Sequence, residues 1–203
     1  MYSAINKSGS MKELIFATHN KNKVKEIDQI LNGSFLLKSL AEIHFTEDIP
    51  EPFDTIEENA VEKARVIFEK FNADCFSEDT GLEVTALNGA PGVRSARYAG
   101  NHDFEANIDL LLHNMKHQTD RTARFKTVIC LIQQGKMHLF EGICAGKIIE
   151  KRKGANGFGY DPIFVPDGSS KTFAEMSMEE KNVFSHRKKA MKKLITFLKQ
   201  AES

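Results

Sequence analysis

Several groups of polar residues in this sequence combine types and spacings that could do chemistry on a charged ligand. Thr18-His19-Asn20-Lys21-Asn22-Lys23 stands where a short apolar run gives way to helical spacing. A helix start offers unpaired N–H groups and a positive dipole end, so added hydroxyl, amide and ammonium groups suit a phosphate chain. The alternative is that Asn20 caps the helix and the lysines are solvated. An acidic set follows: Glu51, Glu57, Glu58 and Glu78-Asp79, the last pair expected at a strand end just before Thr80-Gly81. An acid held in the open there could hold Mg²⁺, which prefers oxygen ligands and keeps several waters. Glu57 and Glu58 fit a helix cap and its dipole better than chemistry. Lys63 is solvated by default, and a phosphate contact if its helix face borders a ligand.

Two further groups lie toward the C-terminus. Gly157-Phe158-Gly159-Tyr160-Asp161-Pro162 alternates glycines with aromatics. Glycine lets backbone approach a ligand, and an exposed ring offers a stacking surface for a base worth about 1–3 kcal/mol; a tight turn with core aromatics is the rival reading. Lys181, then Ser185-His186-Arg187 near the start of the last helix, places donors at another positive helix end, or simply puts charge on the surface. His113 and His117 have i, i+4 spacing but no third ligand nearby, so a solvated face is the better account.

The elements that must position these groups read as follows. Residues 13–18 form a strand, and Val24, Ile27, Ile30 and Leu31 mark a helix. Thr55 with Glu58 reads as a capping box opening a helix over 56–72, whose apolar face carries Ala60, Ala64, Ile67, Phe68 and Phe71. A strand is expected at 74–76 and a separate one around Leu82 and Val84, ending at NGAPG. Phe104 to Met115 reads as a helix, and 122–150 as a long hairpin about Gln134-Gly135. IFVP after the glycine-rich segment is a further strand. The last helix carries Ala190, Met191, Leu194 and Leu198, with Ser177-Glu180 as a capping box ahead of it or a start nearer Ser185. Helices, a long hairpin and a final helix imply an α/β protein with a mixed sheet.

Composition narrows the partners. Lys plus Arg (28) balances Asp plus Glu (28), so no overall field draws the chain to polymeric nucleic acid or anionic lipid. No apolar run approaches the length that spans a membrane, and no secretion signal opens the chain, so a cytoplasmic location is expected. Cys75, Cys130 and Cys144 sit in apolar, strand-like stretches and read as buried thiols. Residues 1–10 are polar and lack periodicity, and are expected to be an extension ahead of a single domain over 11–203.

Taken in order, ATHNKNKVKE, SEDTGLEVTALNGAPGVRSARYAG, GFGYDPIF and FAEMSMEEKNVFSHR resemble the Ham1-type inosine triphosphate pyrophosphatases, from about Lys12 to Leu198. The resemblance implies a two-lobed α/β fold around a long twisted mixed sheet flanked by helices, an active-site cleft between the lobes, and usually a homodimer. It implies hydrolysis of purine nucleoside triphosphates such as ITP, dITP and XTP to monophosphate and pyrophosphate, with Mg²⁺. By the same resemblance, Thr18, His19, Asn20, Lys21, Asn22, Lys23 and Lys63 contact the triphosphate. Glu51 and Asp79 hold the metal, Asp79 also serves as general base, and Thr80 contacts substrate. Phe158, Gly159, Tyr160 and Asp161 take the base, and Lys181, His186 and Arg187 contact the nucleotide. Glu78 stands where the family often has Asp, and Asn156 stands where some members have Trp, which alters one wall of the base pocket. The competing readings are a Maf-type pyrophosphatase of other base preference, whose motifs match less well, and a nucleotide-binding module without turnover, against which Glu51, Asp79 and the lysines argue.

Overall fold

The computed structural model describes residues 13–31, 33 and 35–200; the expected extension over 1–10 lies outside the described residues. The fold is mixed α/β. Its strands are β1 (Glu13–Phe16), β2 (Leu36–Ser39), β3 (Cys75–Val84), β4 (Pro91–Gly92), β5 (Thr122–Gln133), β6 (Lys136–Ile148) and β7 (Phe164–Pro166). The α-helices are α1 (Lys21–Leu31), α2 (Ile56–Phe71), α3 (Phe104–Asn114), α4 (Met178–Phe184) and α5 (His186–Gln200). The strands form one seven-stranded sheet in the order β2-β1-β3-β5-β6-β7, with β4 paired to β3. It is mixed: β1 runs parallel to β2 and β3, whereas β3–β4 and β6–β7 are antiparallel.

Local chemistry accounts for most boundaries. Thr55 caps α2 by accepting the Glu58 N–H, and Asn72 closes the helix in the left-handed conformation, its N–H donating to the Phe68 carbonyl. The Glu58 carboxylate accepts the Thr55 hydroxyl, so the expected reciprocal box is replaced by a side-chain pair. Gln134 and Gly135 both have positive φ, the geometry of a tight two-residue turn between β5 and β6. Both starts weighed for the C-terminal helix occur: Ser177 and Glu180 form a complete capping box on α4, and a separate α5 begins at His186.

The expected break after Glu78-Asp79 does not occur. β3 runs unbroken for ten residues through Thr80-Gly81 to Val84. Its neighbours on the sheet supply pairing partners that a short polar stretch lacks alone, and Gly81 is buried in the strand. The short edge strand β2 is a further element that Leu36–Ser39 did not signal by periodicity.

Two compact units divide the chain. The first comprises Met1–Asp79, Val128–Glu141 and Lys188–Ser203. Its core joins Leu14 and Phe16, Ile27 and Leu31, Phe76, Ile129 and Leu131, and the α5 stripe Ala190, Met191, Leu194 and Leu198. Phe16 and Phe76 stack at 4.6 Å. Ile56, Ala60, Ala64 and Ile67 of α2 are buried as well, and that helix is tied to β3 through Ser77 Oγ–Ala60 O and Cys75 Sγ–Ala64 O. The second unit, Thr80–Thr127 and Gly142–Arg187, packs Leu82, Val84, Ile108, Leu111, Phe125, Ile148, Phe164 and Phe173 around the 4.7 Å edge-on contact of Phe125 with Phe164. The three cysteines are buried thiols outside any disulfide, as expected, and burial pushes the Cys75 and Cys130 thiols up to about 12.

The β6–β7 ladder depends on a residue without a side chain. Gly146 faces Pro166, and a Cβ there would lie 2.3 Å from the Val165 carbonyl oxygen and 2.9 Å from Pro166 Cα. Gly146→Ala is therefore expected to lower stability by about 1–3 kcal/mol, read as an earlier urea midpoint; an unchanged midpoint would show that β7 gives way freely.

Candidate active site

In the first unit the polar groups converge on the buried face of α2. Lys63 lies on the same stripe as Ile56, Ala60, Ala64 and Ile67, and is buried rather than solvated. Its Nζ donates to Glu51 Oε1 at 2.6 Å and to Asp79 Oδ1 at 2.7 Å. One ammonium thus joins a carboxylate from the loop ahead of α2 to one from β3. Asp79 is not in the open at a strand end, as expected from the sequence, but buried within β3, because the strand continues past it.

Burial raises the Asp79 carboxyl above the ordinary aspartate range, and the charge of Glu51 adds to this; Lys63 and Lys23 pull in the opposite direction without cancelling it. Burial alone would drive Lys63 down, but Asp79 and Glu51 outweigh it, so the ammonium stays charged. Glu78 is also buried, and its Oε1 lies 3.3 Å from Lys23 Nζ.

The Thr18–Lys23 segment divides. Asn20 Oδ1 accepts the Asn22 and Lys23 N–H groups at 2.9 and 3.2 Å, which is the capping role. Thr18 Oγ1 accepts the Asn20 N–H at 3.2 Å, while Lys21 and Asn22 are exposed. His19 Nε2 donates to the Glu47 carbonyl at 2.9 Å, and its ring stacks on Phe45 at 6.0 Å. Lys70 stands over that same Phe45 ring and is ion-paired with Glu47. His19 therefore fastens the segment that leads to Glu51.

In the second unit Lys181, Asp161, Phe158 and Arg187 gather. Lys181 Nζ is 2.7 Å from Asp161 Oδ2, which also accepts the Phe158 N–H at 3.0 Å. Lys181 Nζ and Arg187 Cζ approach the Phe158 ring centroid at 5.4 and 5.7 Å. Lys181, His186 and Arg187 are buried, which overturns the surface-charge reading of this group. His186 stacks on Phe125 at 4.7 Å. The aromatics of the glycine-rich segment separate: Phe158 is partly exposed, while Tyr160 is buried and donates to the Ser95 carbonyl at 3.0 Å. Asn156 Nδ2 donates to the Met176 carbonyl, fastening the start of this segment. Thr80 and Thr127 share a 2.6 Å hydroxyl hydrogen bond. Thr127, fully buried in β5, was not singled out from sequence; a polar residue amid the apolar run of that strand is the signal that marks it.

Glu51 and Asp79 fit a magnesium ion: they are oxygen donors held within reach of a single cation, the ammonium of Lys63. Among the described residues no group of three or more His, Cys, Asp or Glu forms a metal cage. Two carboxylates are sufficient for an ion that takes its remaining ligands from phosphate and water. His113 and His117 are exposed, and α3 ends between them at Asn114.

The model of the Ham1 family matches residues 14–197. The chain belongs to the Ham1 family. Among similar proteins, the dITP/XTP pyrophosphatase of Christiangramia forsetii is 52% identical over 187 residues, covering 92% of this chain and 98% of its own. That of Bacillus subtilis is 46% identical over 193 residues, covering 93% and 98%. The solved Staphylococcus aureus Ham1 protein superposes with a TM-score of 0.85 at 38% identity, over 94% of this chain and all of that one (100%).

Lys63→Met leaves two carboxylates without their shared cation, which costs on the order of 3 kcal/mol. Asp79 is already raised and rises further without Lys63, so it takes up a proton as pH falls and the repulsion with Glu51 fades. The urea-measured deficit is thus expected to shrink from pH 7.5 to pH 5; an equal deficit at both would separate the loss from this pair. Gly157 has φ +77°, and a Cβ there would lie 2.0 Å from Asp161 Oδ2. Gly157→Ala is expected to displace Asp161 from Lys181 and weaken ITP binding by calorimetry, with wild-type affinity as the contrary result.

Proposed function

We propose that this protein hydrolyses non-canonical purine nucleoside triphosphates, ITP, dITP and XTP, to the monophosphate and pyrophosphate. Relatives at about half identity over nearly the whole chain are dITP/XTP pyrophosphatases. The observation that carries the chemistry is the convergence of Glu51, Lys63 and Asp79 on one point. Water attacks the α-phosphorus and pyrophosphate leaves, so negative charge on phosphate oxygens must be neutralised as the reaction proceeds. Asp79, buried and with a raised carboxyl, orients the water and accepts its proton. Lys63 holds Asp79 and supplies positive charge beside it. Glu51 and Asp79 would hold Mg²⁺, which when bound lowers the water pKa and neutralises phosphate charge.

Base selection is assigned to the second unit. Phe158 offers a ring for stacking, and Arg187 beside it offers planar donors suited to the O6 and N7 acceptors of hypoxanthine and xanthine. Adenine presents an amino donor at that position, which leaves a desolvated group unpaired at about 1–3 kcal/mol, or about 5- to 150-fold in kcat/KM per mismatched contact. Stacking alone does not discriminate, since every purine has a similar face. Exposed Met137 and Leu139 on β6 support assembly as a homodimer, and three buried cysteines outside any disulfide support a cytoplasmic location. No helix among the described residues is long and apolar enough to cross a membrane.

The test is chromatography of an ITP digest with Mg²⁺. IMP and pyrophosphate are expected as first products, with ITP and XTP well above ATP, and Asp79→Asn should bind nucleotide while losing most turnover. IDP and inorganic phosphate as first products would sink the reading.

A further inference from the structure

The loop ahead of α2 carries a metal ligand and has little regular structure, so something must fix it. Glu51 stands between Pro50 and Pro52, in the run Ile49-Pro50-Glu51-Pro52-Phe53. Proline locks its own φ and holds the residue before it extended, so from Glu51 to Phe53 the backbone is stiff. A constraint on Phe53 therefore reaches Glu51.

That constraint is Asn59. The Phe53 N–H donates to Asn59 Oδ1 at 3.0 Å, and Asn59 Nδ2 donates to the Phe53 carbonyl at 3.0 Å. Both polar ends of one side chain grip both polar groups of one residue. Asn59 is 0% exposed and sits on the apolar face of α2, where an aliphatic residue would pack without needing hydrogen bonds. The grip does not serve to bury Phe53, which is 40% exposed. What it holds is backbone. Lys63, one turn further along the same face, binds Glu51 itself.

We propose that Asn59 is a positioning residue for Glu51: by clamping Phe53 it sets, through Pro52, where the Glu51 carboxylate meets the cation. The proposal rests on the assignment of Glu51 to Mg²⁺ above. Partners that orient a metal ligand typically carry about 10- to 100-fold of metal affinity.

The experiment measures Mg²⁺ affinity by calorimetry on protein saturated with an α,β-methylene analogue of ITP, beside the Mg²⁺ dependence of ITP hydrolysis and the melting temperature. The variants are Glu51→Gln, Asn59→Asp, Pro52→Gly and the double Glu51→Gln/Asn59→Asp. Asn59→Asp keeps the acceptor for the Phe53 N–H but sets a carboxylate oxygen against the Phe53 carbonyl. Pro52→Gly is exposed and leaves the clamp intact while releasing the link to Glu51. The expected result is a loss of Mg²⁺ affinity of about 10- to 100-fold in Asn59→Asp, with kcat largely recovered at saturating Mg²⁺. Pro52→Gly should shift in the same direction at an unchanged melting temperature, and the double variant should be no weaker than Glu51→Gln alone. A lowered melting temperature with wild-type Mg²⁺ affinity in Asn59→Asp, or additive losses in the double variant, would make Asn59 a merely structural residue and overturn the proposal. Should Asn59→Asp not fold, wild-type Mg²⁺ affinity in Pro52→Gly overturns it instead. Unchanged affinity in Glu51→Gln removes the metal assignment, and this proposal with it.

Discussion

An ammonium buried against two carboxylates is the constraint around which the first unit is arranged. Lys63 is out of water, and a charge there is tolerated only when opposite charge and hydrogen bonds replace its hydration. Glu51 and Asp79 supply both, at 2.6 and 2.7 Å. Meeting that requirement fixes three separate parts of the chain together: the proline-flanked loop, the middle of α2 and the middle of β3. The same grouping that satisfies Lys63 presents carboxylate oxygens suited to a divalent ion beside a carboxyl whose raised pKa favours taking a proton from water.

The second unit uses the same device with other residues. Lys181 and Asp161 are both buried and 2.7 Å apart, and Asp161 also receives the Phe158 N–H. The aspartate thereby links a cation to the backbone of Phe158, whose ring is partly exposed. Rings hold the surrounding parts: His186 lies flat on Phe125, and Lys181 also stands over Phe173. Each unit thus contains a lysine–aspartate pair withdrawn from water.

Buried asparagines do for loops what the lysines do for acids. Asn59 grips Phe53 in the first unit; Asn107 of α3 grips the Ala99 N–H and the Ala96 carbonyl in the second. In each case one amide, having both a donor and an acceptor, satisfies backbone groups of the segment ahead of a helix from that helix.

The local and the patterned were legible in the residues themselves. The α2 stripe, its Thr55 cap, the Gln134-Gly135 turn and the Ser177-Glu180 box arise from interactions over a few residues, and the order of the ATHNKNKVKE, SEDTGLEV, GFGYDPIF and FSHR blocks placed the chain in its family. Tertiary structure decided the rest. Whether β3 ends at Asp79 or runs to Val84 depends on strands elsewhere in the chain, and that continuation turned an expected open carboxylate into a buried one. Lys63 reads as solvated by type and as buried only by its place on the α2 stripe. Its partners lie 12 and 16 residues away in a loop and a strand, and His19 meets Glu47 across 28. Short-range propensity carries no information about such meetings; they are set by which buried charges and orphaned backbone groups must find one another when the chain closes on itself.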